Sequence, residues 1–93
     1  MRKILRKRYR FYGRVQGVGF RYVARHAATL LGITGFVQNE YDGSVTMEAQ
    51  GTSADLDDLL SMIHDGRYIV IEEMEVKELP PEPDERSFAV RQY

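Results

Sequence analysis

Apolar and polar residues alternate through positions 7–15, where Tyr9, Phe11 and Val15 interleave with Arg8, Arg10 and Arg14. That is the period of a half-buried strand. After Phe20 the period lengthens: Val23, Ala27, Leu30 and Leu31 fall at i, i+4, i+7 and i+8, one face of a helix, and Gly32 follows as its stop. Residues 33–39 are rich in β-formers, 40–43 end in the turn dipeptide Asp42-Gly43, and 44–50 alternate Val45, Met47 and Ala49 against Thr46, Glu48 and Gln50. Together they predict a β-hairpin. A second helix follows, with Thr52 or Ser53 as N-cap, Asp55, Asp57 and Asp58 near its positive end, and Leu56, Leu59, Leu60 and Ile63 on one face up to Gly66. Residues 68–79 predict a long strand, in which Glu72-Glu73 breaks the alternation and marks a bulge or bend. A stiff loop with Pro80, Pro81 and Pro83 leads to a short last strand around Phe88 and Val90.

The order is β-α-β-β-α-β plus a short terminal strand. Two one-sided amphipathic helices separated by a hairpin predict an α+β, ferredoxin-like sandwich, with both helices on one face of a mostly antiparallel sheet. At 93 residues the chain reads as a single domain over 1–93; this length buries roughly 60–65% of its unfolded surface, enough for one core. No apolar run approaches the ~20 residues of a membrane span. The basic N-terminus has no apolar stretch behind it, so no secretory signal is expected. Cysteine is absent, which excludes disulfides, thiol nucleophiles and cysteine-ligated metals.

Charge is unevenly spread. Nine basic residues (Arg2, Lys3, Arg6, Lys7, Arg8, Arg10, Arg14, Arg21, Arg25) precede any acid, whereas positions 26–93 hold four basic and fourteen acidic residues. Two readings follow: an N-terminal bias toward an anionic partner, or pairing of this segment with the acidic remainder. On charge alone the second is favoured.

The segment richest in chemistry is Gly13-Arg14-Val15-Gln16-Gly17-Val18-Gly19-Phe20-Arg21, between the first strand and the first helix. Amide N–H groups at a helix start have no internal partner, and glycines let an anion approach the backbone closely. Such a loop can cradle phosphate, and Arg21 adds a planar fork of donors. The plainer reading is a tight turn. The segment matches neither a P-loop nor GxGxxG.

The stretch GRVQGVGFR resembles the first signature of acylphosphatases, and Gly35-Phe36-Val37-Gln38-Asn39 with Asp42-Gly43-Ser44-Val45 resembles the second. Asn39 lies eighteen positions after Arg21, as in that family, and Leu31-Gly32, Gly51 and Phe88-Ala89-Val90-Arg91 add further likeness. The resemblance runs from about Tyr9 to the C-terminus. It implies a small cytoplasmic monomer of ferredoxin-like fold that hydrolyses acyl phosphates to carboxylate and inorganic phosphate. It implies no metal and no cofactor; from the hydropathy and the placement of the aromatics, no membrane or nucleic-acid partner is expected. It also implies that Arg21 binds the phosphate, Asn39 positions the water, and the backbone amides of Gln16, Gly17, Val18, Gly19, Phe20 and Arg21 form the cradle. Phe36 stands where the family often has tryptophan, Gln38 where a basic residue is common, and Gly66-Arg67 replaces a frequent Gly-Pro.

The remaining polar residues invite structural readings. His26 reads as a surface residue, and His64 as a helix-end residue suited to the dipole. Asp55, Asp57 and Asp58 point different ways round a helix and read as a solvated start rather than a metal cluster. Glu72, Glu73 and Glu75 read as charges that discourage edge pairing. Two other functions compete with catalysis. Ferredoxin-like domains include RNA-binding modules, and Tyr9, Phe11 and Tyr12 lie among arginines, but the strand that would stack bases, 44–50, has no aromatic. A domain that senses an anion without turnover would use the same cradle.

Overall fold

A computed structural model describes residues 2–92. The alternating N-terminal segment forms β1 (Ile4–Arg14), the glycine loop opens into α1 (Phe20–Leu31), and the hairpin is β2 (Thr34–Asn39) with β3 (Val45–Thr52). Then come α2 (Ser53–His64), β4 (Val70–Leu79) and β5 (Phe88–Arg91). The sheet order is β4-β1-β3-β2-β5, antiparallel throughout except for the parallel pair β2–β5. This is the ferredoxin-like arrangement read from the sequence. The expected bulge is present: Tyr12 pairs with Glu73 but Gly13 with Ile71, so Glu72 is the extra residue.

Alternation divides the sheet into two chemically different faces. Tyr9 and Phe11 from β1, Val37 from β2, and Val45, Met47 and Ala49 from β3 pack against Phe20, Ala24, Ala27 and Ala28 of α1 and Leu56, Leu59 and Ile63 of α2. Burial pushes the Tyr9 phenol up to about 12, so it stays neutral in this core. The helix face of α1 differs from the expected stripe. Its buried residues begin at Phe20 and continue through Ala24, Ala27 and Ala28, while Leu30 is 65% exposed. The Phe20 ring reaches Phe11, with centroids 4.9 Å apart, and that contact sets the helix rotation. At roughly 100° per residue, Leu30 then points well away from the stripe. Alanines at the contact let the helix sit close to the sheet.

The other face carries the charge pairs. Arg6 is only 4% exposed and bridges Glu48 at 2.9 Å and Glu85 at 2.8 Å. Burial works against its charge, but its hydrogen bonds to Glu85 and Glu48 prevail and raise its pKa. Arg8 pairs with Glu48 at 3.4 Å and Arg10 with Asp42 at 3.0 Å. For these three arginines, pairing with the acidic remainder is what the fold does.

Gly35 is where backbones approach most closely. Its φ is 143°, and an added Cβ would collide with the Glu48 carbonyl, whose carbon lies 2.8 Å away, and with Ala49 Cα at 3.1 Å. Gly35→Ala therefore combines a strained φ with a backbone clash inside the sheet, between β3 and β5. We expect a loss of about 2–4 kcal/mol. In a domain of this size that lowers Tm by roughly 10–30 °C, measurable by thermal circular dichroism.

Candidate active site

Residues 15–19 connect β1 to α1 in a loop whose side chains sort by polarity. Val15 and Phe20 are buried at either end, and Val18 packs against the core between them. Gly17 and Gly19 face solvent with φ of 72° and 82°, while no non-glycine residue has positive φ. Positive φ at Gly17 and Gly19 on either side of Val18 is a backbone hand that glycine adopts readily. The two glycines have open space around a would-be Cβ, so backbone conformation is what restricts these positions.

The loop leads directly into α1. Its N-cap is Gly19, with no side-chain cap and no acidic residue in the first turn. The first-turn N–H groups are thus left for solvent or an anion, at the positive end of the helix dipole. In contrast, α2 caps itself: the Thr52 hydroxyl accepts from the Asp55 N–H at 3.2 Å, with Asp55 in the first turn. Arg21 is half-buried in the first turn of α1, and among the described residues no carboxylate pairs with it.

Asn39 ends β2. It shares the helix-bearing face with Val37, two residues earlier, and its carboxamide makes no hydrogen bond within the described chain. Asn39 pairs with Val45, Val45 pairs with Phe11, and Phe11 touches Phe20, the residue before Arg21. Arg21 and Asn39 therefore lie at the same end of the sandwich.

A direct tie reinforces this. The Gln16 Nε2 group donates to the Glu40 carbonyl at 2.7 Å and to the Ser44 carbonyl at 2.8 Å. The glycine loop is bolted to the β2–β3 connection next to Asn39. The sequence pointed to the Gln16 amide but not to this side chain; the signal was a carboxamide as the one hydrogen-bonding side chain among 15–19. Also missed was the support of the turn. The Ser44 hydroxyl and N–H donate to Asp42, the latter at 2.9 Å, and Arg10 grips Ser44 at 2.8 Å and Asp42 at 3.0 Å. The Ser44 bonds, with Arg10 alongside, hold the Asp42 carboxyl below its usual range.

The competing functional residues fare differently. Tyr9 and Phe11 stack on each other with centroids 5.9 Å apart inside the core, exposed by 1% and 0%, so neither can stack on a base. Tyr12 lies on the other face and donates to Glu75 at 3.1 Å. His26 is exposed beside Tyr22, and His64 Nδ1 lies 2.9 Å from the Leu60 carbonyl. Among the described residues no three His, Asp or Glu side chains gather into a group that could hold a metal ion. Also among them, no helix is long and apolar enough to cross a membrane.

Fold and loop together define a ferredoxin-like α+β sandwich with a glycine loop and an uncapped helix start at one end. Comparison with known proteins narrows this. The family model for acylphosphatase matches residues 7–90. An acylphosphatase from Oceanobacillus iheyensis is 44% identical over 81 residues, spanning 85% of this chain and 89% of that one. One from Clostridium acetobutylicum is 43% identical over 79 residues, covering 84% and 87%. The crystal structure of acylphosphatase from Bacillus subtilis superposes with a TM-score of 0.86 at 30% identity, covering 94% of this chain and 98% of that one. The chain belongs to the acylphosphatase family, a family of hydrolases.

Proposed function

We propose that this chain hydrolyses the carboxyl–phosphate bond of acyl phosphates without a metal, using Arg21, Asn39 and the amides of residues 16–21. Family and fold support acyl phosphate hydrolysis. The observation that carries the finer assignment is the uncapped, glycine-started N-terminus of α1, tied by Gln16 to the turn that follows Asn39.

The chemistry asks for little more than such a site offers. The leaving carboxylate has a conjugate acid of pKa ~4–5, so it departs without a proton donor. A largely dissociative phosphoryl transition state needs charge stabilisation and alignment more than covalent help. The amides of Gln16, Gly17, Val18, Gly19, Phe20 and Arg21, with the Arg21 guanidinium, hold the phosphoryl oxygens and meet charge as it develops. The Asn39 carboxamide aims one water at phosphorus. A carboxamide is too weak a base to deprotonate that water, so its role is orientation. Phosphate monoesters, whose alkoxide leaving groups need a proton or a metal, lie outside this chemistry.

The purified protein is expected to release inorganic phosphate from benzoyl phosphate in excess chelator while leaving a phenyl phosphate ester intact. Phosphate binding without release would make the domain an anion sensor. Activity that disappears with chelator would overturn the metal-free mechanism.

A further inference from the structure

We infer that the Gln16 side chain is a positioning residue: it sets the distance and angle between the phosphate cradle and the water-aiming Asn39. The inference rests on the acyl phosphate reading above and adds a residue that acts through another.

Gln16 sits at the start of the cradle, and its Nε2 makes two short hydrogen bonds, 2.7 Å to the Glu40 carbonyl and 2.8 Å to the Ser44 carbonyl. Those carbonyls flank the 40–44 turn, and the first belongs to the residue bonded to Asn39. A single amide nitrogen, using both its hydrogens, thus fastens the phosphate-binding loop to the base of the turn that ends β2. Neither carbonyl depends on Gln16 for its only partner. The Glu40 carbonyl also accepts from the Gly43 N–H at 3.2 Å, and the Ser44 carbonyl from the Glu40 N–H at 2.9 Å. The turn closes without Gln16; what Gln16 adds is its attachment to the loop. The loop is independently anchored by Val15, Val18 and Phe20 in the core. Cutting the tie therefore spares the cradle and loosens Asn39 relative to it. A misplacement on the ångström scale is enough to cost about a hundredfold in rate.

The test uses Gln16→Ala and Gln16→Met, the second keeping side-chain length and volume while removing the donor. With benzoyl phosphate as substrate and inorganic phosphate as competing ligand, both variants should retain native circular dichroism. They should lose about ten- to a hundredfold in kcat, and keep KM and the phosphate inhibition constant within about threefold. The decisive readout is coupling: in an Asn39→Ala background, Gln16→Ala should cost nothing further, because its effect passes through Asn39. Unchanged kcat, a loss confined to KM, an additive double variant, or a Gln16→Met that does not fold would each overturn the inference while leaving acyl phosphate hydrolysis intact. A wild-type protein that releases no phosphate would overturn both.

Discussion

Replacing Arg21 with alanine is expected to remove phosphate binding and turnover together, with kcat/KM falling at least about a thousandfold and the phosphate inhibition constant rising at least tenfold. Arg21 is the charged member of the proposed site, in the first turn of α1 directly after the glycine loop. A guanidinium can bind two phosphoryl oxygens at once, and charge-assisted bonds of this kind are worth about 1.5–3 kcal/mol each. In the proposed mechanism its contribution grows in the transition state, where arginines that meet developing phosphoryl charge are worth about 10³–10⁵ in rate. The backbone amides remain in the variant, but they carry only partial charges and cannot replace a full one. Arg21 makes no ion pair within the described chain, so its loss should leave the fold and Tm close to wild type. Arg21→Lys separates charge from geometry. It keeps the positive charge but not the planar fork, so it should recover part of the phosphate affinity and little of the rate. Phosphate release, inhibition by inorganic phosphate and thermal unfolding, measured on the same preparations, decide the matter. An Arg21→Ala protein within tenfold of wild-type kcat/KM would strip Arg21 of its role.

Much of the architecture was visible in the residues because local signals agreed with the global plan. Alternation marked β1 and the hairpin, Thr52 with Asp55 marked the start of α2, and Glu72 announced its bulge. The face of α1 was misread at Leu30 for a physical reason: hydrophobicity alone favours leucines, whereas the contact that fixes the helix is Phe20 on Phe11, made close by alanines. The glycine loop showed in the sequence as a possible cradle because its chemistry is local, a run of amides before a helix. Asn39 by itself was an ordinary asparagine before a turn; only its place in a second motif joined it to the loop. Gln16 and the Arg10–Asp42–Ser44 support were not legible as contacts. The Gln16 and Arg10 contacts join positions 24 to 34 residues apart, and no periodicity encodes which side chain closes such a gap.

Asn39→Ala should separate what Arg21→Ala loses together: kcat down about 10²–10⁴-fold, with phosphate affinity within about threefold of wild type. Asn39 ends a strand and carries no charge, and its carboxamide makes no hydrogen bond within the described chain, so neither the cradle nor the fold leans on it. In the proposed mechanism its work is to hold a water whose free orientation otherwise costs entropy at every turnover. Asn39→Asp distinguishes orientation from proton removal. A carboxylate is by far the better base, and it fits the same volume, so a general-base role predicts retained or increased activity. Orientation predicts loss, because the N–H donor is gone and a negative charge now faces the phosphoryl oxygens. That repulsion should also raise the phosphate inhibition constant and relax as pH falls toward the ordinary Asp range of ~4, where a protonated side chain regains a donor. An Asn39→Asp enzyme more active at neutral pH than Asn39→Ala would assign the residue to proton transfer. Equal or greater loss, with phosphate affinity recovering at acid pH, leaves alignment of the water as its contribution.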